Sequence, residues 1–179
     1  RLNVDPCPTF KPLLLEEFGN LTSIKGYSVC TFLADKHVAQ RQADAAKQYV
    51  SHAGLTTSIE VVNDSSNPLQ KGSSIVLWAQ TDKDVILGAD AIGELGKPSE
   101  MVGKEAAEKL LAEFEAKPTM DKHMSDIIIP YIALAKGSSV FLTRKISDHL
   151  EANIWLAEII LGAKFNVVET DGLFKVEKV

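Results

Sequence analysis

Residues 139–179 read SVFLTRKISDHLEANIWLAEIILGAKFNVVETDGLFKVEKV, and their patterning decides what kind of fold this chain adopts. The run 139–144 is short and rich in β-formers, so it reads as a strand. Ser147 then offers a hydroxyl N-cap and Asp148 suits the positive end of a helix dipole. Leu150, Ile154, Ala157 and Leu161 recur at helical spacing, which predicts a helix over 148–161. Residues 165–169 and 173–179 form a hairpin around Asp171-Gly172, a favoured two-residue turn. The order is strand, helix, strand, strand.

His149 falls in the first turn of that helix, among backbone N–H groups that disfavour an imidazolium and attract phosphate. A neutral, nucleophilic imidazole can meet a phosphoryl group there. A capping-turn histidine with no chemical task fits the same pattern. Upstream, residues 124–135 read as an apolar helix interrupted or bent at Pro130. Its opening, Asp121-Lys122-His123-Met124-Ser125-Asp126, sets His123 and Asp126 three residues apart on one face. A capping acid beside a surface histidine and a pair that meets a ligand both satisfy this spacing.

Further outward, Pro98 and Ser99 start a helix with Val102, Ala106, Leu110 and Phe114 on one face, ended by Lys117-Pro118. The Lys and Glu alternation over 104–117 reads as its solvated side. Earlier still come a strand over 27–33, an alanine-rich helix over 34–53 closed by Gly54, and a strand over 58–63. Turn formers fill 63–72. A strand over 73–80 has Ile75, Leu77 and Ala79 on one face, and 85–88 forms a fourth strand. The glycines of 88–97 make a flexible connection and no Walker loop, since Glu94-Leu95 follow Gly93 where Lys and Ser/Thr are needed. Residues 1–4 form a short strand, and Pro6, Pro8 and Pro12 force an extended path after it. Trp78 and Trp155 read as core residues, His37 and His52 as solvated ones.

Composition sets outer limits. The 179 residues are 45% hydrophobic and 24% charged, ordinary globular values. A net charge of −5 gives no overall basic footprint, so a nucleic acid would be held by a local patch or a partner. Cys7 and Cys30 lie in no metal-ligand spacing and read as free buried thiols, which points to the cytosol. No run approaches the ~18 apolar residues of a bilayer span, so no membrane partner is expected. The start at Arg1 without methionine reads as a piece of something longer.

The segment DKHMSDIIIPYIALAKGSSVFLTRK (121–145) followed by HLEANIWLAEIILGAKFNVVETDGLFKVEKV (149–179) resembles the C-terminal end of the RNA 3'-terminal phosphate cyclases. In that family a histidine in an H-L-x-x-N-I setting attacks the α-phosphate of ATP, and His149 is the matching position. RLNVDPCPTFKPLLLEEFG (1–19) is similar to the segment leading into the family's inserted domain. GADAIGELGKPSEMVGKEAAEKLL (88–111) is similar to the segment leading back out. The resemblance implies an α/β (α+β) fold in which residues 1–18 and 118–179 form one βαβαββ repeat. Residues 19–117 are then the inserted domain, with about four strands and two helices. The family's N-terminal repeats are absent from this chain.

The resemblance further implies a ligase that acts on RNA with a 3'-phosphate end, using ATP and a divalent metal such as Mg²⁺. The matching histidine takes AMP from ATP and releases pyrophosphate. AMP passes to the RNA 3'-phosphate, and the neighbouring 2'-hydroxyl then closes a 2',3'-cyclic phosphate. His123 and Asp126 match an aromatic and an acidic position lining the family's nucleotide site, while Ile127 stands where the family has glutamine. Ile92 matches an aromatic residue on the glycine-rich loop that approaches the nucleotide, and keeps only an apolar wall there. No residue is assigned to a metal. The other readings are a non-catalytic cyclase-like protein of RNA processing or ribosome assembly, and a small α/β interaction module.

Overall fold

Ile75, Leu77 and Ala79 are buried along one strand while Val76 between them is exposed and Trp78 half-buried, so the sheet they build is covered on one face. The structure, a computed structural model, describes residues 2, 3, 5, 9–66 and 70–179. It divides into two units: Gly19–Lys117, hereafter the inserted unit, and Arg1–Phe18 with Pro118–Val179, the enclosing unit.

The inserted unit contains β1 (Leu21–Thr31), α1 (Val38–His52), β2 (Ser58–Asp64), β3 (Gly72–Thr81), β4 (Ile86–Ile92) and α2 (Ser99–Ala116). Its sheet has the order β2-β1-β3-β4. β1 and β2 are parallel, and the other neighbours are antiparallel. α1 supplies the crossover that a parallel pair requires. Ala39, Ala43, Ala46 and Val50 of α1 are fully buried, as are Ala106 and Leu110 of α2. Small residues let the two helices approach so closely that a Cβ on Gly103 would lie 2.0 Å from the Gln42 carbonyl oxygen. Gln42 is itself buried but satisfied: its Nε2 donates to Ser73 Oγ at 2.8 Å, and its Oε1 accepts from Ser28 Oγ at 3.0 Å.

α1 ends as the sequence predicts. Gly54 is left-handed at φ 74°, with the Gly54 amide on the Ser51 carbonyl and the Leu55 amide on the Val50 carbonyl, a Schellman closure. Its start differs from expectation. Residues 34–36 form a 3-10 turn and His37 turns left-handed at φ 51°, so the α-helix begins at Val38. Phe32, at φ 57°, likewise ends β1 before Leu33. The reading of 88–97 as a loop is corrected as well. Gly88 pairs with Trp78 and Ile92 with Ser74, because ladder bonds to β3 outweigh the weak strand preference of glycine. Only the stretch after Ile92 is a connection.

That connection is fastened by charge. Glu105 of α2 accepts from Lys109 Nζ at 2.8 Å and from Lys97 Nζ, and these two contacts hold its carboxyl at about 2 against an ordinary 4.5. The folded value lies below the unfolded one, so the contribution is present above pH 4.5 and fades as pH falls toward 2. Water screens the pair and keeps the effect small. Glu105→Gln should lower the melting temperature by roughly 2–4 °C at pH 7, and by nothing measurable in a melt at pH 2.

The enclosing unit contains α3 (Lys122–Leu134), β5 (Ser139–Thr143), α4 (Asp148–Leu161), β6 (Phe165–Thr170) and β7 (Leu173–Lys178), with the sheet order β5-β7-β6. Asp171 and Gly172 adopt φ 50° and 78°, the left-handed pair that a type I′ hairpin requires. Met120, Ile129, Ile132, Phe141, Leu150, Ala157 and Val176 form the core. The strand expected over 1–4 is corrected: residues 2 and 3 carry none, and Arg1 and Val4 lie outside the described residues. Pro6, Cys7, Pro8 and residues 67–69 of the stretch of turn formers lie outside them too. The pairing occurs at Leu14, a parallel bridge to Val140, with the Leu15 amide on the Val140 carbonyl at 2.9 Å. α3 runs through Pro130 without an interruption.

Candidate active site

Two helix starts compose the site. At α4, the Ser147 hydroxyl accepts from the Leu150 amide at 3.0 Å and the Ser147 carbonyl accepts from the Glu151 amide at 3.0 Å. This cap fixes the first turn, and His149, its second residue, is exposed. At α3, the carboxylate of buried Asp121 accepts from the His123 and Met124 amides at 3.0 and 2.9 Å. His123 is therefore also a second-position, exposed histidine on a capped helix.

The capping acid of α3 is Asp121, which leaves Asp126 for another task. Its carboxylate accepts from the Ser147 hydroxyl, and its backbone carbonyl accepts from Asn153 Nδ2 at 2.6 Å. Asp126 thus joins α3 to the turn that carries His149, and His123 lies three residues before it on α3. Asn153 and the tertiary role of Ser147 are absent from the sequence-based set. A signal for Asn153 was present: Pro130, four residues after Asp126, has no N–H to give that carbonyl.

Ile92 belongs to the inserted unit, at the end of β4, and is 62% exposed. His37 and His52 are exposed in the same unit. Cys30 is buried with its thiol on Asn63 Oδ1 at 3.1 Å. Trp78 is half-buried and stacks on Tyr27, whereas the reading of Trp155 as core is wrong, since 60% of it is exposed on α4. Leu156, Ile159 and Ile160 are exposed beside it, and α3 carries an exposed stripe of Met124, Ile127, Tyr131 and Leu134. A helix apolar on its outer side as well as its inner one is built to be covered. Among the described residues no group of three or more His, Cys, Asp or Glu is placed to hold a metal ion, and no helix is long and apolar enough to cross a membrane.

The family model for the insert domain of RNA 3'-terminal phosphate cyclase matches residues 16–115, more than half of the chain. The chain belongs to the RNA 3'-terminal phosphate cyclase family. The matched span follows the inserted unit closely, and individual relatives extend the likeness through the enclosing unit. The RNA 3'-terminal phosphate cyclase of Pyrobaculum aerophilum is 40% identical over 178 residues, 98% of this chain and 50% of the relative. That of Methanopyrus kandleri is 40% identical over 176 residues, 96% of this chain and 50% of the relative. That of Pyrococcus furiosus is 40% identical over 164 residues, 92% of this chain and 46% of the relative. The chain thus spans about half the length of the curated relatives it matches. In this cyclase-family chain, Asp126 is bonded to Ser147, two residues before His149. An exposed imidazole on a capped helix start, braced from a neighbouring helix, can attack an electrophilic phosphorus.

Proposed function

We propose that the protein containing this chain is an ATP-dependent RNA 3'-terminal phosphate cyclase and that His149 is its nucleophile. The observation carrying this reading is the exposed His149 on the capped first turn of α4. An imidazole nitrogen forms the P–N bond to the α-phosphorus of ATP as the P–O bond to pyrophosphate breaks. AMP then moves to a 3'-phosphate oxygen of the RNA as the P–N bond breaks, and the adjacent 2'-hydroxyl attacks the 3'-phosphorus, closing the 2',3'-cyclic phosphate and displacing AMP. The helix start favours developing negative charge on the phosphoryl oxygens. His123, Asp126 and Ile92 are proposed nucleotide-site residues on the family resemblance.

A divalent metal such as Mg²⁺ belongs to the proposal on the family resemblance, and it would be carried largely by the ATP phosphates, as no group of three or more His, Cys, Asp or Glu among the described residues is placed to hold one. The exposed stripes on α3 and α4 support a second element of the proposal, that the N-terminal repeats of the same protein cover this face. Buried, unpaired Cys30 supports a cytosolic setting.

The test is incubation of the full-length protein with ATP labelled in the α-phosphate. An acid-labile, alkali-stable protein adduct is expected, and its transfer to RNA ending in a 3'-phosphate should follow. A protein that never takes up label would overturn the reading.

A further inference from the structure

We infer that Ser147 and Asn153, gripping Asp126, are positioning residues that set where His149 stands. The chemistry rests on the proposed nucleotidyl transfer; the grip itself rests on geometry alone. The Ser147 hydroxyl has one proton, and it goes to the Asp126 carboxylate. Its lone pair is then aimed at the Leu150 amide. Asp126 therefore holds the rotor of the group that caps α4.

The second half of the grip follows from Pro130. A proline cannot donate to the carbonyl four residues earlier, and that carbonyl belongs to Asp126. Left bare in a half-buried position, it would carry a desolvation cost, which explains why proline inside a helix usually kinks it. Here α3 continues to Leu134, and Asn153 Nδ2 supplies the missing donor at 2.6 Å. One residue of α3 is thus held from both ends. Its side chain reaches toward the helix start and meets Ser147; its carbonyl points toward the helix end and meets Asn153.

Ser147 and Asn153 are six residues apart, roughly 9 Å along α4. Two contacts so spaced fix both the sliding and the rotation of the helix, and His149 lies between them. The imidazole is placed without itself being held, which leaves it open to react. Buried Leu150 and core-packed Ile154 hold the helix against the core.

The test uses full-length protein and single-turnover adduct formation from labelled ATP. Ser147→Ala and Asn153→Ala should slow the step by roughly 10- to 100-fold at saturating ATP, with half-saturation changed less than about twofold. Ser147→Thr should restore most of the rate. Adding Pro130→Ala to Asn153→Ala returns a donor to the Asp126 carbonyl. The double variant should therefore regain melting temperature but not rate. Recovery of both would reduce Asn153 to a structural role and overturn the proposal, as would wild-type rates in the single variants. A raised half-saturation at unchanged maximal rate would overturn it in favour of nucleotide contact. If the wild type forms no adduct, the nucleotidyl-transfer reading fails, and amide exchange decides the grip. Faster exchange at Leu150 in Asp126→Ala supports it, and unchanged exchange overturns it.

Discussion

In the full-length protein, His149→Ala should lower adduct formation by roughly 10⁴-fold, because it removes the nitrogen proposed to form the P–N bond. The melting temperature should stay within about 2 °C of wild type. His149 is exposed, its side chain caps nothing, and the cap and core contacts of α4 belong to Ser147, Leu150 and Ala157. His52→Ala, in the inserted unit, should keep the full adduct. Labelled adduct at wild-type level in His149→Ala would remove the residue from the chemistry.

The other large effect belongs to stability. Residues 19–117 have their own sheet, two covering helices and a buried core, so this stretch alone should unfold in one cooperative thermal transition. It should form no adduct. Within it, Gly103→Ala adds a methyl 2.0 Å from the Gln42 carbonyl oxygen and 2.9 Å from its carbon, both backbone atoms that no rotamer change can clear. Ordinary helix propensity favours alanine by about 1 kcal/mol. Forcing α1 from α2 costs more, and loosens the Gln42 amide that bridges β1 and β3. The net loss should be about 2 kcal/mol, a melting temperature lower by roughly 8–16 °C. A variant that melts at or above wild type would show that the helices are not in close contact.

The sequence made the capped and turned parts legible because their signals are local. Ser147, Gly54 and Asp171-Gly172 each act on the backbone beside them, and α4 and the β6–β7 hairpin stand within a residue or so of their expected limits. Where a partner decides, the sequence was silent. β4 extends to Ile92 because β3 is there to pair with it. Trp155 faces outward although its neighbours suggest core. Pro130 reads as an interruption or a bend, and nothing near it in sequence tells that Asn153 gives the Asp126 carbonyl its donor. The histidines of the site were visible as residues on helix starts; the hydrogen bonds joining those starts were not.

The bond from Thr119 Oγ1 to the Leu15 carbonyl at 2.7 Å ties together positions 104 apart in sequence. Closing a flexible loop of that length costs about 4 kcal/mol of chain entropy, whereas a loop of ten residues costs about 2. A folded inserted unit turns the long loop into the short one by carrying its two ends to neighbouring points. The enclosing sheet, whose Leu14–Val140 bridge spans the same gap, is therefore expected to assemble second. Lesions such as Gly103→Ala would then act at a distance in time, slowing formation of the histidine-bearing unit without touching one of its contacts.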